Sequence, residues 1–265
     1  GSMIGEITKS TSLKVVTPLL LIALVIFAAS FVIVWFTQLT EPETEKTDIL
    51  GGVMEAVRYR QLLLGIIAIF FYVGIEIGIP AQIFDYLSLP VAKGGVLGSA
   101  TTAGLIAGVY WMLMLVGRFV SAFISGKVSS RMQLTITSTV ALLLLLVAIF
   151  MPEDVKMSLS IPNLAKSTFD QVEVPTKVLF IILCGICTSV MWGVIFNLAT
   201  EGLGKYTATA SGLFMTMVVG GGIMPFIQNL MATKIGYIQS YWLVVGMLGY
   251  ILFYALVGSH PSKKA

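Results

Sequence analysis

Seven long apolar runs decide what this chain can fold into. They lie at 15–37, 61–87, 100–124, 133–151, 176–199, 206–230 and 236–258. Each has the roughly 20 apolar residues that an α-helix needs to cross a bilayer's hydrocarbon core. Only 11% of the 265 residues are charged, against about 25% in a soluble globular domain. Too little polar surface remains to coat the chain in water. The expected fold is an all-α integral membrane protein with seven transmembrane helices, its main partner the lipid bilayer.

The connections are uneven. Residues 38–60 (QLTEPETEKTDILGGVMEAVRYR) form a charged linker whose second half suits a short amphipathic surface helix. Residues 152–175 read as a polar loop containing three prolines. The other connections are short, so neighbouring helices run antiparallel. The tight, acid-free turn 125–132 carries Lys127 and Arg131, and Arg118 lies toward the same side. By the positive-inside tendency this side is cytoplasmic, which puts the C-terminus inside. The expected organisation is a cloning scar (GSM) and a single helix over 1–37, a cytoplasmic linker over 38–60, a six-helix unit over 61–258 and a cytoplasmic tail over 259–265.

Several function classes drop out. A net charge of +3 spread thinly gives no basic stripe, so no nucleic-acid partner is expected. Cys184 and Cys187 form a C-x-x-C inside an apolar run, and the single histidine, His260, is in the tail. They read as buried thiols packing like small hydrophobes, with no metal and no cofactor expected. No nucleophile–base pair suggests an enzyme.

The residues that remain are polar or small ones in apolar surroundings. Glu76 sits inside FFYVGIEIGIPAQIF (70–84). A charged side chain at the bilayer centre costs about 2.5–3.5 kcal/mol on insertion scales, so such residues default to function. An acid poised there between neutral and charged forms can take a proton, a cation or a polar ligand. Tyr72 lies one turn earlier on the same face, whereas Gln82 falls on another. Pro80 deprives the Glu76 carbonyl of its helical donor and marks a kink.

Small residues recur at helical spacing: Gly104 and Gly108; Gly185, Ser189, Gly193 and Asn197; Gly212, Thr216 and Gly220. Such stripes let helices approach closely. Asn197 carries an amide that needs partners, and Trp192 offers a flat face suited to a sugar ring. For both, a structural role weighs equally: an interfacial Trp, and an Asn satisfied by backbone. Gly220, Gly221 and Gly222, followed by Pro225, favour a bend or hinge over a rigid rod.

YVG-x-E (72–76), VGRFVSAF (116–123), VIFNLA (194–199) and EGLGKYTATASGLFMTMVVGGGIMP (201–225) together resemble the C-terminal half of fucose permease-like sugar transporters of the major facilitator superfamily. The order and spacing agree over about residues 58–258. GKVSSRMQL (126–134) resembles the superfamily's cytoplasmic loop motif in degraded form, retaining Gly126 and Arg131. The family's aromatic-Pro-Thr before the Ile-Phe of the fifth helix is replaced by Trp192, Gly193 and Val194, and the 152–175 loop is longer than expected. The resemblance implies that the first run is the last helix of an N-terminal half and that the six others form a C-terminal bundle. It implies proton-coupled symport of a hexose or 6-deoxyhexose by alternating access in a bacterial inner membrane. Tyr72, Glu76, Trp192 and Asn197 would face the substrate, and Gly117, Arg118 and Arg131 would form the cytoplasmic gate. Such a chain would not transport alone; it would need an N-terminal half. Alternatives are a homodimeric or partner-dependent solute transporter, and a receptor or scaffold that moves nothing.

Overall fold

The computed structural model describes residues 12–37, 49–124, 126–163 and 168–261. The GSM opening, linker residues 38–48 and tail lysines Lys263 and Lys264 lie outside the described residues. The first apolar run is one helix, α1 (Ser12–Phe36), which forms a unit by itself. The elements from residue 48 onward form a second compact unit.

That second unit opens with a short helix, α2 (Ile49–Ala56), in the second half of the linker. Helices α3 (Arg60–Ser88), α4 (Ala100–Ile124) and α5 (Ser130–Phe150) follow. The fourth span breaks into α6 (Lys177–Thr188) and α7 (Met191–Thr200). The fifth begins in a 3₁₀ turn at Gly204–Tyr206, runs as α8 (Thr207–Thr216), tightens to 3₁₀ at Met217–Val219 and continues as α9 (Gly220–Ile235). The last is α10 (Tyr241–Phe253), ending in a π turn at Tyr254–Gly258. Six of these spans are long and apolar enough to cross a membrane, and α1 is a seventh apolar helix.

Residues 152–175 are more ordered than a polar loop. They fold as an antiparallel hairpin of β1 (Lys156–Asn163) and β2 (Thr168–Pro175), with Lys156 opposite Pro175 and Asn163 opposite Thr168. Met157, Leu159 and Ile161 alternate with Lys156, Ser158 and Ser160, the period of a half-buried strand. The prolines do not prevent pairing because Pro162 and Pro175 sit at or next to strand ends. At the hairpin base the Lys177 ammonium, almost fully buried, is neutralised by Glu153 at 3.4 Å.

Helix α3 is the centre of the unit, and its neighbours approach it in two ways. Glycines let backbones close. A Cβ on Gly74 would stand 2.6 Å from Met224 Cβ, and one on Gly220 would collide with the Phe70 carbonyl oxygen. Tyrosines of α10 and its terminal π turn fasten the other side, because in lipid a buried hydroxyl must find an acceptor within the protein. Tyr241 donates to the Ile79 carbonyl at 2.9 Å, Tyr250 to Leu64 at 3.1 Å and Tyr254 to Gln61 at 3.2 Å.

The surface helix α2 is held to the start of the fifth span. The Tyr206 hydroxyl donates to Glu55 Oε2 at 2.6 Å, and the Tyr59 and Tyr206 rings lie 6.1 Å apart. That hydrogen bond, helped by Arg58 and Lys205, holds the Glu55 carboxyl below its ordinary range. A carboxylate with a lowered native pKa stabilises above its unfolded pKa, and the effect is lost as pH falls through the native value. Acid is therefore expected to release α2. Amide exchange over residues 49–56, corrected for intrinsic rates, should accelerate below the carboxylate range, and Glu55→Gln should exchange that fast at neutral pH. Protection independent of pH and of this substitution would contradict the latch.

Candidate functional site: a polar cavity beside an intramembrane ion pair

Glu76 lies near the middle of α3, and its side chain remains only 15% exposed. Its partner is Arg118, whose Nη2 stands 3.5 Å from Glu76 Oε1. Arg118 was expected at a cytoplasmic gate. It sits six residues short of Ile124, about 9 Å along the axis at about 1.5 Å per residue, and turns toward the acid of the neighbouring helix. The acid is largely covered, whereas the Arg118 side chain is 57% exposed, so the pair is shielded from one side only.

The exposed part of Arg118 faces a cavity of about 680 Å³. Ser121 of α4, Ser130 and Gln133 of α5, and Trp192, Gly193 and Asn197 of α7 also line it. The wall depends on the break between α6 and α7. Thr188 bonds back to the Cys184 and Gly185 carbonyls, and Ser189 to Ile186 at 2.6 Å. Hydroxyls that bond to their own helix in this way bend it. The backbone turns over Ser189 and Val190, and α7 restarts at Met191 with Trp192 and Asn197 on the cavity wall. Gly193 has nothing within 4 Å of where its Cβ would stand, so this stretch of wall is bare backbone.

Tyr72 lies behind the wall. Its ring is fully buried and meets Trp192 edge to face at 6.1 Å. Its hydroxyl lies beside the Glu76 carboxylate, the acceptor within its reach, although the two are not well aligned for a hydrogen bond. Tyr110, deeper still, is satisfied by Thr188 at 2.9 Å. Asn197 donates to Ser130 Oγ at 2.8 Å, which ties α7 to α5. The four expected substrate-facing residues thus gather around one site: Trp192 and Asn197 on its surface, Glu76 reaching it through Arg118, and Tyr72 beneath Trp192.

The remaining candidates fall elsewhere. Gly117 packs against Ser189 where α4 crosses the break; a Cβ there would come within 2.9 Å of the Ile186 carbonyl. Arg131 bonds Ser259, just past the terminal π turn, with Nε donating to Ser259 Oγ at 3.1 Å and Nη2 to the Ser259 carbonyl at 3.3 Å. Pro80 is buried in α3, which continues through it. Gly220, Gly221, Gly222 and Pro225 all lie inside α9, and the departure from α geometry is the 3₁₀ turn before them. Close approach accounts for the first two glycines: Gly221 faces Val73 as Gly220 faces Phe70.

Ser121, Ser130, Gln133 and Ser189 were not anticipated at the site. Among them Ser189 carried a signal, as a member of the small-residue stripe that ends at Asn197. Gln82 and Gln228 are also buried with amide atoms unpartnered among the described residues; Gln228 packs over Gly78.

A family model for the Major Facilitator Superfamily matches residues 4–224. The chain belongs to the Major Facilitator Superfamily. Within this superfamily it is 30% identical over 241 residues to a glucose/galactose transporter of Brucella abortus biovar 1 (strain 9-941), covering 91% of this chain and 52% of that protein. It is 27% identical over 212 residues to a putative glucose/galactose transporter of Helicobacter pylori (strain ATCC 700392 / 26695), covering 78% and 46%. The chain therefore spans about half the length of the curated relatives it matches. Two crystal structures of the fucose:proton symporter FucP share its superfamily fold. The one in the outward conformation gives a TM-score of 0.68 at 17% identity, covering 92% of this chain and 54% of that one. A variant of the E. coli protein gives 0.71 at 18%, covering 92% and 55%.

Proposed function

We propose that this chain is one half, with one preceding helix, of a proton-coupled monosaccharide symporter of a bacterial inner membrane, its C-terminus cytoplasmic. The observation that carries the reading is the cavity itself. An aromatic face (Trp192), an amide (Asn197) and a guanidinium (Arg118) border a space of about 680 Å³ beside the Glu76 carboxylate. Aromatic faces stack on the apolar faces of sugar rings, and convergent amide and guanidinium donors suit hydroxyls. The names of the Brucella and Helicobacter relatives support glucose or galactose, and that of FucP supports a 6-deoxyhexose and a proton.

In this reading Glu76 carries the proton. Substrate hydroxyls take the N–H donors that the paired Arg118 leaves open, and protonation of Glu76 then removes its attraction for the guanidinium and frees the loaded half to move. Release of sugar and proton on the other side restores the pair. Alternating access would be the rocking of this half against another across the cavity, with Arg131 and Ser259 in the cytoplasmic gate. Half-length coverage of the relatives also supports a second reading, in which two copies of the chain make the complete transporter.

The test is uptake of labelled glucose, galactose and fucose into proteoliposomes, with and without an inward proton gradient. The chain alone, as a folded monomer, is expected to show no gradient-driven uptake. The homodimer reading predicts uptake together with doubled mass in detergent. Gradient-driven uptake that survives Glu76→Gln would contradict the coupling role of that acid.

A further inference from the structure

Arg118 is the one charged side chain among the described residues lining the main cavity; the others there are hydroxyls, amides, Trp192 or apolar. Its counter-charge does not come from the cavity wall. Glu76 approaches from α3 at 3.5 Å and is mostly covered, while more than half of the Arg118 side chain stays open. The cavity thus presents a guanidinium whose charge is cancelled from behind. A neutral ligand can use its N–H donors without displacing anything. An anionic ligand would have to compete with a carboxylate already in place, in a setting where an extra negative charge close to another is costly.

We propose that Glu76 sets the charge selectivity of this cavity. By neutralising Arg118 it confines the site to uncharged sugars, and in its absence the same guanidinium would take an anionic sugar, a hexuronate, through its carboxylate. Guanidinium and carboxylate match in bidentate geometry, which makes this exchange of partners chemically direct. The rest of the wall need not change, because a hexuronate keeps the ring and hydroxyls of the hexose it derives from. The inference rests on the reading of the cavity as a sugar site, and it assigns Arg118 a role in specificity as well as in pairing.

The experiment is equilibrium dialysis of the full chain in lipid nanodiscs with labelled D-glucose and labelled D-glucuronate. Wild type, Glu76→Gln and the double variant Glu76→Gln with Arg118→Gln are compared, each shown to be folded by its melting curve. The expected result is that Glu76→Gln shifts the ratio of glucuronate to glucose affinity at least tenfold toward the acid and that the double variant loses the shift. Glu76→Ala carries the same test should the glutamine variant fail to fold. A folded Glu76 variant that binds glucuronate no better than wild type overturns the proposal, as does a gain that persists without Arg118. Wild type that fails to bind D-glucose counts against the sugar reading instead, and the glucuronate comparison still decides whether Glu76 governs charge.

Discussion

Gly220→Ala is expected to cost the bundle about 3 kcal/mol, at the upper end of the usual penalty for overpacking a filled core. The added methyl would enter the space of the Phe70 carbonyl oxygen and stand 3.0 Å from Phe70 Cδ2. A carbonyl in the middle of α3 cannot step aside as a side chain can, so α9 must move away from α3 as a whole. That movement would also loosen Met224 against Gly74 and Gln228 against Gly78. Gly212→Ala is the matched control. Gly212 belongs to the same i,i+4 stripe, but nothing lies within 4 Å of its Cβ position. There the better helix propensity of alanine, worth up to about 1 kcal/mol, acts alone. Thermal unfolding in detergent should give a markedly lower midpoint for the first variant and an equal or higher one for the second. Equal midpoints for both would mean that α3 and α9 do not cross so closely.

Trp192→Ala is expected to weaken monosaccharide binding by tenfold or more, equivalent to about 1.4 kcal/mol. Two losses combine. The cavity loses its aromatic face, and Tyr72 loses the edge-to-face neighbour that covers its ring. Edge-to-face pairs are worth about 0.5–1.5 kcal/mol beyond burial, and the uncovered tyrosine would relax into the site. Trp111→Ala serves as control. Trp111 lies on α4, touches Tyr110 at 5.5 Å and takes no part in the cavity wall, so affinity should be unchanged. Equal loss in both variants would point to general destabilisation rather than a binding face.

How much of this was legible in the sequence varies with the range of the interaction. Spans were legible because each apolar run is a local property: α3 and α4 begin and end within a residue or so of the runs that announced them. The hairpin was legible in principle, since Met157, Leu159 and Ile161 alternate with polar residues. The prolines and the polar composition of 152–175 masked that period, which β2 matches at Val172 opposite Leu159 and Val174 opposite Met157. Glu76 stood out because a carboxylate in an apolar run is costly wherever its partner lies. That the partner is Arg118, on another helix, depends on how α3 and α4 cross, and no spacing along the chain encodes it. The glycine stripes show the same limit. Gly185 and Gly220 meet backbone carbonyls, whereas Gly108, Gly193 and Gly212 meet nothing within 4 Å. Identical spacing has different meanings according to which face a neighbouring helix covers.

Trp192, Asn197 and the Arg118–Glu76 pair border the proposed monosaccharide site. The most direct measurement is titration of the chain in nanodiscs with D-glucose, D-galactose and L-fucose, with L-glucose as stereochemical control, read by tryptophan fluorescence in wild type and Trp192→Phe. Saturable, stereoselective quenching that is lost in Trp192→Phe is the predicted result. Folded protein whose fluorescence is indifferent to every sugar, or responds equally in the variant, would contradict it.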